Sequence, residues 1–131
     1  MQVGAHTIEE DGDLVIATSR GDWSLDQINV LIATWDRVRA THGRLYYLGD
    51  FSGGMGLSAA VRKRAIDWGR HNQFDGLVLV ITSVTVRALA LLVVRATTLL
   101  RRDSTPPQIC TTLAEARAVM QQLRSEPKQH A

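Results

Sequence analysis

Residues 44–70, RLYYLGDFSGGMGLSAAVRKRAIDWGR, decide how the rest of the chain is read. The apolar run Leu45–Phe51 has the length and composition of a strand. It passes through Gly53-Gly54-Met55-Gly56 to Ser58, whose side chain suits the first position of a helix. Strand, loop and helix in that order are the repeating unit of an α/β domain, and in such sheets ligands and partners meet the loops at the carboxyl ends of the strands. The expected site is therefore Asp50, Ser52, Gly54 and Ser58, with Arg62 one turn into the helix.

Upstream, residues 2–10 and 13–20 read as two strands joined at Asp11-Gly12, a pair that tolerates the positive φ of tight turns. The second run, DLVIATSR, alternates less cleanly, which predicts the more buried strand of the two. Ser24 and Gln27 form a capping box for a helix with Ile28, Leu31, Ile32, Trp35 and Val38 on one face, Trp23 is placed to staple onto Ile28, and Gly43 ends the helix.

Downstream, Val61, Ala65 and Trp68 give the second helix an inward face, with Arg62, Lys63 and Arg64 outside. Leu77–Ile81 is a continuous apolar run, the pattern of a central parallel strand covered on both faces, and is expected to be the most buried strand. A third helix is predicted over 84–102. At about 100° per residue, Leu89, Leu92, Val93, Ala96, Leu99 and Leu100 should meet the sheet. Val86, Ala90 and Val94 form an extra apolar flank, and Leu91 lies among Arg87 and Arg95. A monomer gains nothing by exposing such a patch, so Val86, Arg87, Ala90, Leu91, Val94 and Arg95 are the expected surface for self-association. The same arginines argue against a transmembrane span, because charges at that depth are costly in lipid. Gln108–Cys110 is a short last strand. Thr112 and Glu115 open a final helix with Leu113, Ala116, Val119, Met120 and Leu123 inward, and the polar tail 125–131 should fray.

At 131 residues the chain fits one domain spanning 1–131, and hydrophobic and charged fractions of 45% and 21% are ordinary for a folded protein. The single cysteine excludes an internal disulfide, and the amino end lacks the basic start and apolar run of a signal peptide. A cytoplasmic protein is expected. Residues 1–30 hold six acids against Arg20, whereas the remainder holds fourteen Lys or Arg against seven acids. The basic faces of the second and third helices read first as solvated surface, or as one that meets the acidic amino end of a neighbouring subunit, and second as a site for a lipid headgroup or another anionic ligand. They lack the interleaved aromatic residues that single-strand nucleic-acid binding needs, so nucleic acid is not the expected partner.

The chemistry-bearing residues form no catalytic motif. The glycine turn is followed by no Gly-Lys-Ser/Thr, and Gly56-Leu57-Ser58-Ala59-Ala60 lacks the last glycine of a nucleophile elbow. His6, His42, His71 and His130 do not pair at metal-ligand spacing. No enzyme, metal or cofactor is expected. Ser58 has two readings, an ordinary helix cap and a phosphorylated switch at a helix N-terminus.

The predicted order, two strands and then alternating helix and strand to a final helix, with Asp50-Phe51-Ser52 closing the third strand and a Ser-capped helix after it, resembles the STAS (SpoIIAA-like, anti-sigma-factor antagonist) domains and the related bacterial STAS/Sec14-like small proteins. The resemblance covers about residues 3–124. It implies a five-stranded, mixed, mostly parallel sheet with an N-terminal β-hairpin and four helices, in a non-catalytic, regulatory protein-interaction module. In the antagonists a phosphorylated serine begins the second helix inside an Asp-Ser-Ser-Gly-like motif; Ser58 is the residue that carries over, without that Asp and Gly. The Sec14-like relatives imply the alternative, a carrier holding a lipid or other small ligand in an apolar cavity.

Overall fold

The computed structural model describes residues 1–88, 91–92 and 107–125, with the side chains of 55–57 outside the description. Among these residues the chain is an α/β fold of eight strands and four helices. In order they are β1 (Gln2–Val3), β2 (His6–Asp11), β3 (Leu14–Thr18), β4 (Gly21–Trp23), α1 (Leu25–His42), β5 (Tyr46–Asp50), β6 (Met55–Leu57), α2 (Ala59–His71), β7 (Gly76–Val80), α3 (helical at 84–88 and 91–92), β8 (Gln108–Cys110) and α4 (Leu113–Ser125).

The main sheet has six strands, not five, in the order β1-β2-β3-β5-β7-β8. The additional strand arises because the expected first strand is broken at Gly4, whose φ of 62° turns the chain back so that Gln2 pairs with Thr7 and Val3 with His6. β1, β2 and β3 are antiparallel, and β3, β5, β7 and β8 are parallel, with Ile16 opposite Leu48 and Leu48 opposite Val78. β4 and β6 form a separate two-stranded parallel ribbon. Half of the turn expected at Gly53–Gly56, Met55 and Gly56, is thus strand, and the turn itself is confined to Ser52–Gly53, closed by the Gly54 N–H donating to Phe51 O at 3.1 Å.

Each parallel connection advances by one strand in the same direction, and right-handed crossovers then place the connecting helices on one face. On that face Val15, Ala17, Leu45, Tyr47, Leu79 and Ile81 pack with Ile28, Leu31, Trp35 and Val38 of α1 and with Val61 and Trp68 of α2, and Val86 of α3 packs against the same core. Alternate residues of the same strands, Leu14, Ile16, Tyr46, Leu48, Val78, Val80 and Cys110, face the other way and meet Ala116 and Met120 of α4. Every residue of β5 is buried, whereas Leu77 of β7 is half-buried; β5, not β7, is the most enclosed strand. Each such Leu, Ile or Val side chain contributes about 1.5–3 kcal/mol by leaving water.

The helix boundaries follow local chemistry. Ser24 Oγ accepts from the Gln27 N–H, Gln27 Oε1 accepts from the Ser24 N–H, and Gly43 ends α1 at φ 71°. Ser58 caps α2 by accepting from the Val61 N–H at 3.3 Å. At α4 the Thr112 Oγ1 accepts from the Glu115 N–H. Among the described residues no helix is long and apolar enough to cross a membrane.

Candidate functional site

The carboxyl ends of β3, β5 and β7 lie side by side and are stitched together by backbone. The Ser19 N–H donates to Asp50 O at 2.8 Å, and the Phe51 N–H donates to Val80 O at 2.9 Å. Over this end lie the loop Ser52–Gly54, the β4/β6 ribbon, and the first residues of α2 and α3.

Asp50 ends β5 at 6% exposure. Its Oδ1 accepts from both the N–H and the O–H of Ser52, at 3.0 and 2.6 Å, so the buried carboxylate fixes the backbone and the hydroxyl of an exposed serine. A charged acceptor makes these the stronger kind of hydrogen bond. The geometry thus makes Asp50 the group that orients Ser52 at the start of the turn. Among the described residues no group of three or more His, Cys, Asp or Glu is placed to hold a metal ion.

A second polar group supports the ribbon. His6, at 1% exposure, stacks on Trp23 with ring centroids 4.0 Å apart and planes within 3°. His6 Nδ1 lies 3.0 Å from the Arg20 backbone N, and Nε2 lies 2.8 Å from the Asp22 carbonyl oxygen. The Trp23 indole N–H donates to Ser19 Oγ at 2.7 Å. Gly53 seats against the same segment: a Cβ on it would stand 2.6 Å from the Ser19 carbonyl oxygen. The loop after β5 and the loop after β3 are therefore one packed unit.

Sequence reasoning brings Asp50, Ser52, Gly54 and Ser58 to the same end of the sheet, where the structure also finds them. Gly54 has φ 101°, which a side chain would strain. Ser58 is exposed and Arg62 half-buried. What sequence reasoning missed is His6, Ser19 and Trp23. His6 reads as one of four scattered histidines and Trp23 as a helix staple; the backbone partners of His6 are fourteen and sixteen residues away in the chain, and Trp23 is placed by the His6 ring and the Ser19 hydroxyl.

The expected self-association surface is divided. Ser83 opens α3, with its Oγ accepting from the Val86 N–H and its carbonyl from the Arg87 N–H. That phase turns Val86 inward against the core, not outward. Arg87 is half-buried, and its Nη2 donates to Ile81 O at 3.4 Å. Leu92, expected against the sheet, is 63% exposed. Leu91 is 36% exposed. Ala90, Val94 and Arg95 lie outside the described residues, as do Leu89, Val93, Ala96, Leu99, Leu100 and the tail 126–131.

Compared with protein-family models, curated proteins and solved structures, the chain matches none.

Proposed function

We propose that the chain is a non-catalytic interaction module that works by presenting the loop Asp50–Ser58 and the outer side of α3 to a protein partner, a second copy of itself included. The observation that carries this reading is the exposure of Val84, Leu91 and Leu92, at 79%, 36% and 63%, on a helix that starts beside the loop end of the sheet. Large apolar side chains grouped on one element cost free energy in water and gain it when covered. The polar groups of the loop support the same reading. The Asp50 carboxylate is spent on Ser52, and His6, Ser19 and Trp23 are spent on one another and on backbone, so the loop offers a fixed surface. Its resemblance to anti-sigma-factor antagonists makes a regulatory protein partner the natural class, with Ser58 the residue through which a phosphoryl group would act.

The carrier reading needs room against the sheet. At the centre of the helix-covered face, the position a Cβ on Gly49 would take is already closed in by Leu79 Cδ2 at 3.0 Å, Phe51 Cε2 at 3.0 Å and the Tyr47 hydroxyl at 3.1 Å. A ligand there would have to displace packed side chains.

Native mass spectrometry of the purified chain tests the proposal, because one spectrum reports subunit number and any retained mass. The expected result is a ligand-free oligomer that dissociates in Leu91→Asp and Leu92→Asp while both variants keep the wild-type circular dichroism. A monomer carrying an extra small-molecule mass would favour the carrier. An oligomer unchanged in both variants would remove α3 from the interface.

A further inference from the structure

We propose that His6 is a proton-sensitive latch on the loops at the carboxyl end of the sheet: the neutral ring holds the segment Arg20–Trp23 in place, and a second proton on the ring releases it. The inference concerns the loop itself and stands whatever the loop binds.

The tautomer is set by the partners. A backbone N–H donates and cannot accept, so the Arg20 N–H at 3.0 Å requires a lone pair on His6 Nδ1. A carbonyl oxygen accepts and cannot donate, so Asp22 O at 2.8 Å requires the proton on Nε2. The neutral Nε2–H ring satisfies both at once. A cationic ring carries N–H on both nitrogens, and Nδ1–H then points at the Arg20 N–H, two donors with no acceptor between them.

The ring is enclosed on all sides. His6 is 1% exposed and lies flat on Trp23, itself 3% exposed. The charged groups on the elements around it are the Met1 ammonium, held on Ile8 O beside β2, Glu9, Glu10 and Asp11 farther along β2, Arg20 and Asp22 on the held segment, and Asp26 in the first turn of α1; all of these residues are exposed. Among the described residues no carboxylate forms an ion pair with His6. Stacking on the indole face supplies no acceptor in place of the one lost at Nδ1.

Release has a defined consequence. Arg20–Trp23 contains β4, whose parallel pairing with β6 (Gly21 with Met55, Trp23 with Leu57) leads directly to the Ser58 cap of α2. Ser19, immediately before the segment, abuts Gly53. Freeing the segment loosens the support on both sides of the loop Ser52–Ser58 while leaving the core of β3, β5 and β7 intact.

The test is a descending pH series on the ¹⁵N-labelled wild-type chain. Long-range ¹H–¹⁵N spectra of the His6 ring report its tautomer and protonation, amide exchange at Arg20 reports the bond to Nδ1, the Trp23 indole proton reports the bond to Ser19, and the Leu48 and Val78 amides report the core. The expected result is an Nε2–H tautomer near neutrality. As the ring protonates, the Arg20 amide should lose at least ten-fold in protection and the indole signal should move with the same midpoint, while Leu48 and Val78 stay protected. A ring that protonates with Arg20 protection unchanged overturns the latch, and so does loss of protection at Arg20 and Leu48 together, which is global unfolding. In His6→Asn, whose Oδ1 can accept from Arg20 without titrating, Arg20 protection should become independent of pH; retained dependence would also overturn the proposal. Should this variant fail to fold, the wild-type series decides alone.

Discussion

The two ends of the sheet are held by different chemistry. At the amino end the clamps are charged and long. Asp75 Oδ2 accepts from the Leu45 N–H at 2.8 Å and pairs with Arg39 at 3.4 Å; Asp13 is gripped by Arg124 at 2.8 Å and by Arg44 at 3.6 Å; Arg124 also reaches Asp11 at 3.5 Å, tying the end of α4 to the β2–β3 turn. At the carboxyl end the clamps are short and act within the loops: the Asp50 carboxylate on the N–H and O–H of Ser52, His6 on the backbone of Arg20 and Asp22, and the Trp23 indole on the Ser19 hydroxyl. One end joins elements distant in sequence across the outside of the molecule. The other fixes the shape of two loops from beneath and leaves their outer surface unspent, the arrangement a binding surface needs.

Removing a clamp at the amino end should therefore cost global stability. In Asp75→Ala the N–H of Leu45, a residue with no exposure, loses its acceptor, and Arg39, whose guanidinium is already held below its ordinary pKa by burial, loses its carboxylate. The expected loss is about 3 kcal/mol, read as a lower urea midpoint at unchanged slope. A loss near zero would mean that the hairpin and α4 hold this end without it.

Gly53→Ala should cost less and act at the other end. The added Cβ meets a backbone oxygen at 2.6 Å, so Ser19 must move; overpacking of this kind costs about 1–3 kcal/mol. Gly53 does not have a positive φ, so the cost is contact rather than backbone strain. The largest amide shifts should fall on Ser19–Trp23 and not on Leu45 or Asp75. Shifts spread evenly over both ends would break the distinction between them.

The difference between the ends also explains what the sequence disclosed. Features whose parts lie within four residues were legible: the Ser24 and Gln27 capping box, Gly43 at the end of α1, Ser58 at the start of α2, and the inward face of α4 from Leu113 to Leu123. The site was legible as a place, because a strand ending in Asp50 before a capped helix fixes which end of the sheet the loop occupies. Its support was not, because His6 meets the backbone of Arg20 and Asp22 only through folding, and the bond from Trp23 to the Ser19 hydroxyl, although its ends are four residues apart, belongs to no capping or periodic pattern. Gly4 carried a usable signal, since a glycine inside an alternating pattern marks a turn or bulge. The phase of α3 was misread for a related reason: the apolar residues 84–102 offer several faces, and the Ser83 cap, not hydrophobicity, turns Val86 inward.

The smallest effect is expected at the outermost amino-end clamp, where Arg37 donates to both oxygens of Glu10 with side chains 57% and 36% exposed. The hydrogen bond from Arg37, more than its charge, holds the Glu10 carboxyl below the ordinary carboxylate range. A folded value below the unfolded one stabilises the ionised form of the native state. The contribution is thus fully present above the unfolded glutamate value of about 4.3 and is lost as pH falls through the lower folded value. Glu10→Gln removes the titrating group, so the stability gap between wild type and variant should be largest near neutrality and close as the solution is acidified below about pH 4. Added salt should narrow the gap as well, because both side chains stand in solvent. Thermal melts of the two chains across pH at low and high salt measure it; a gap unchanged by either variable would show that this pair, unlike Asp75 with Leu45 and Arg39, does not hold the amino end through its charge.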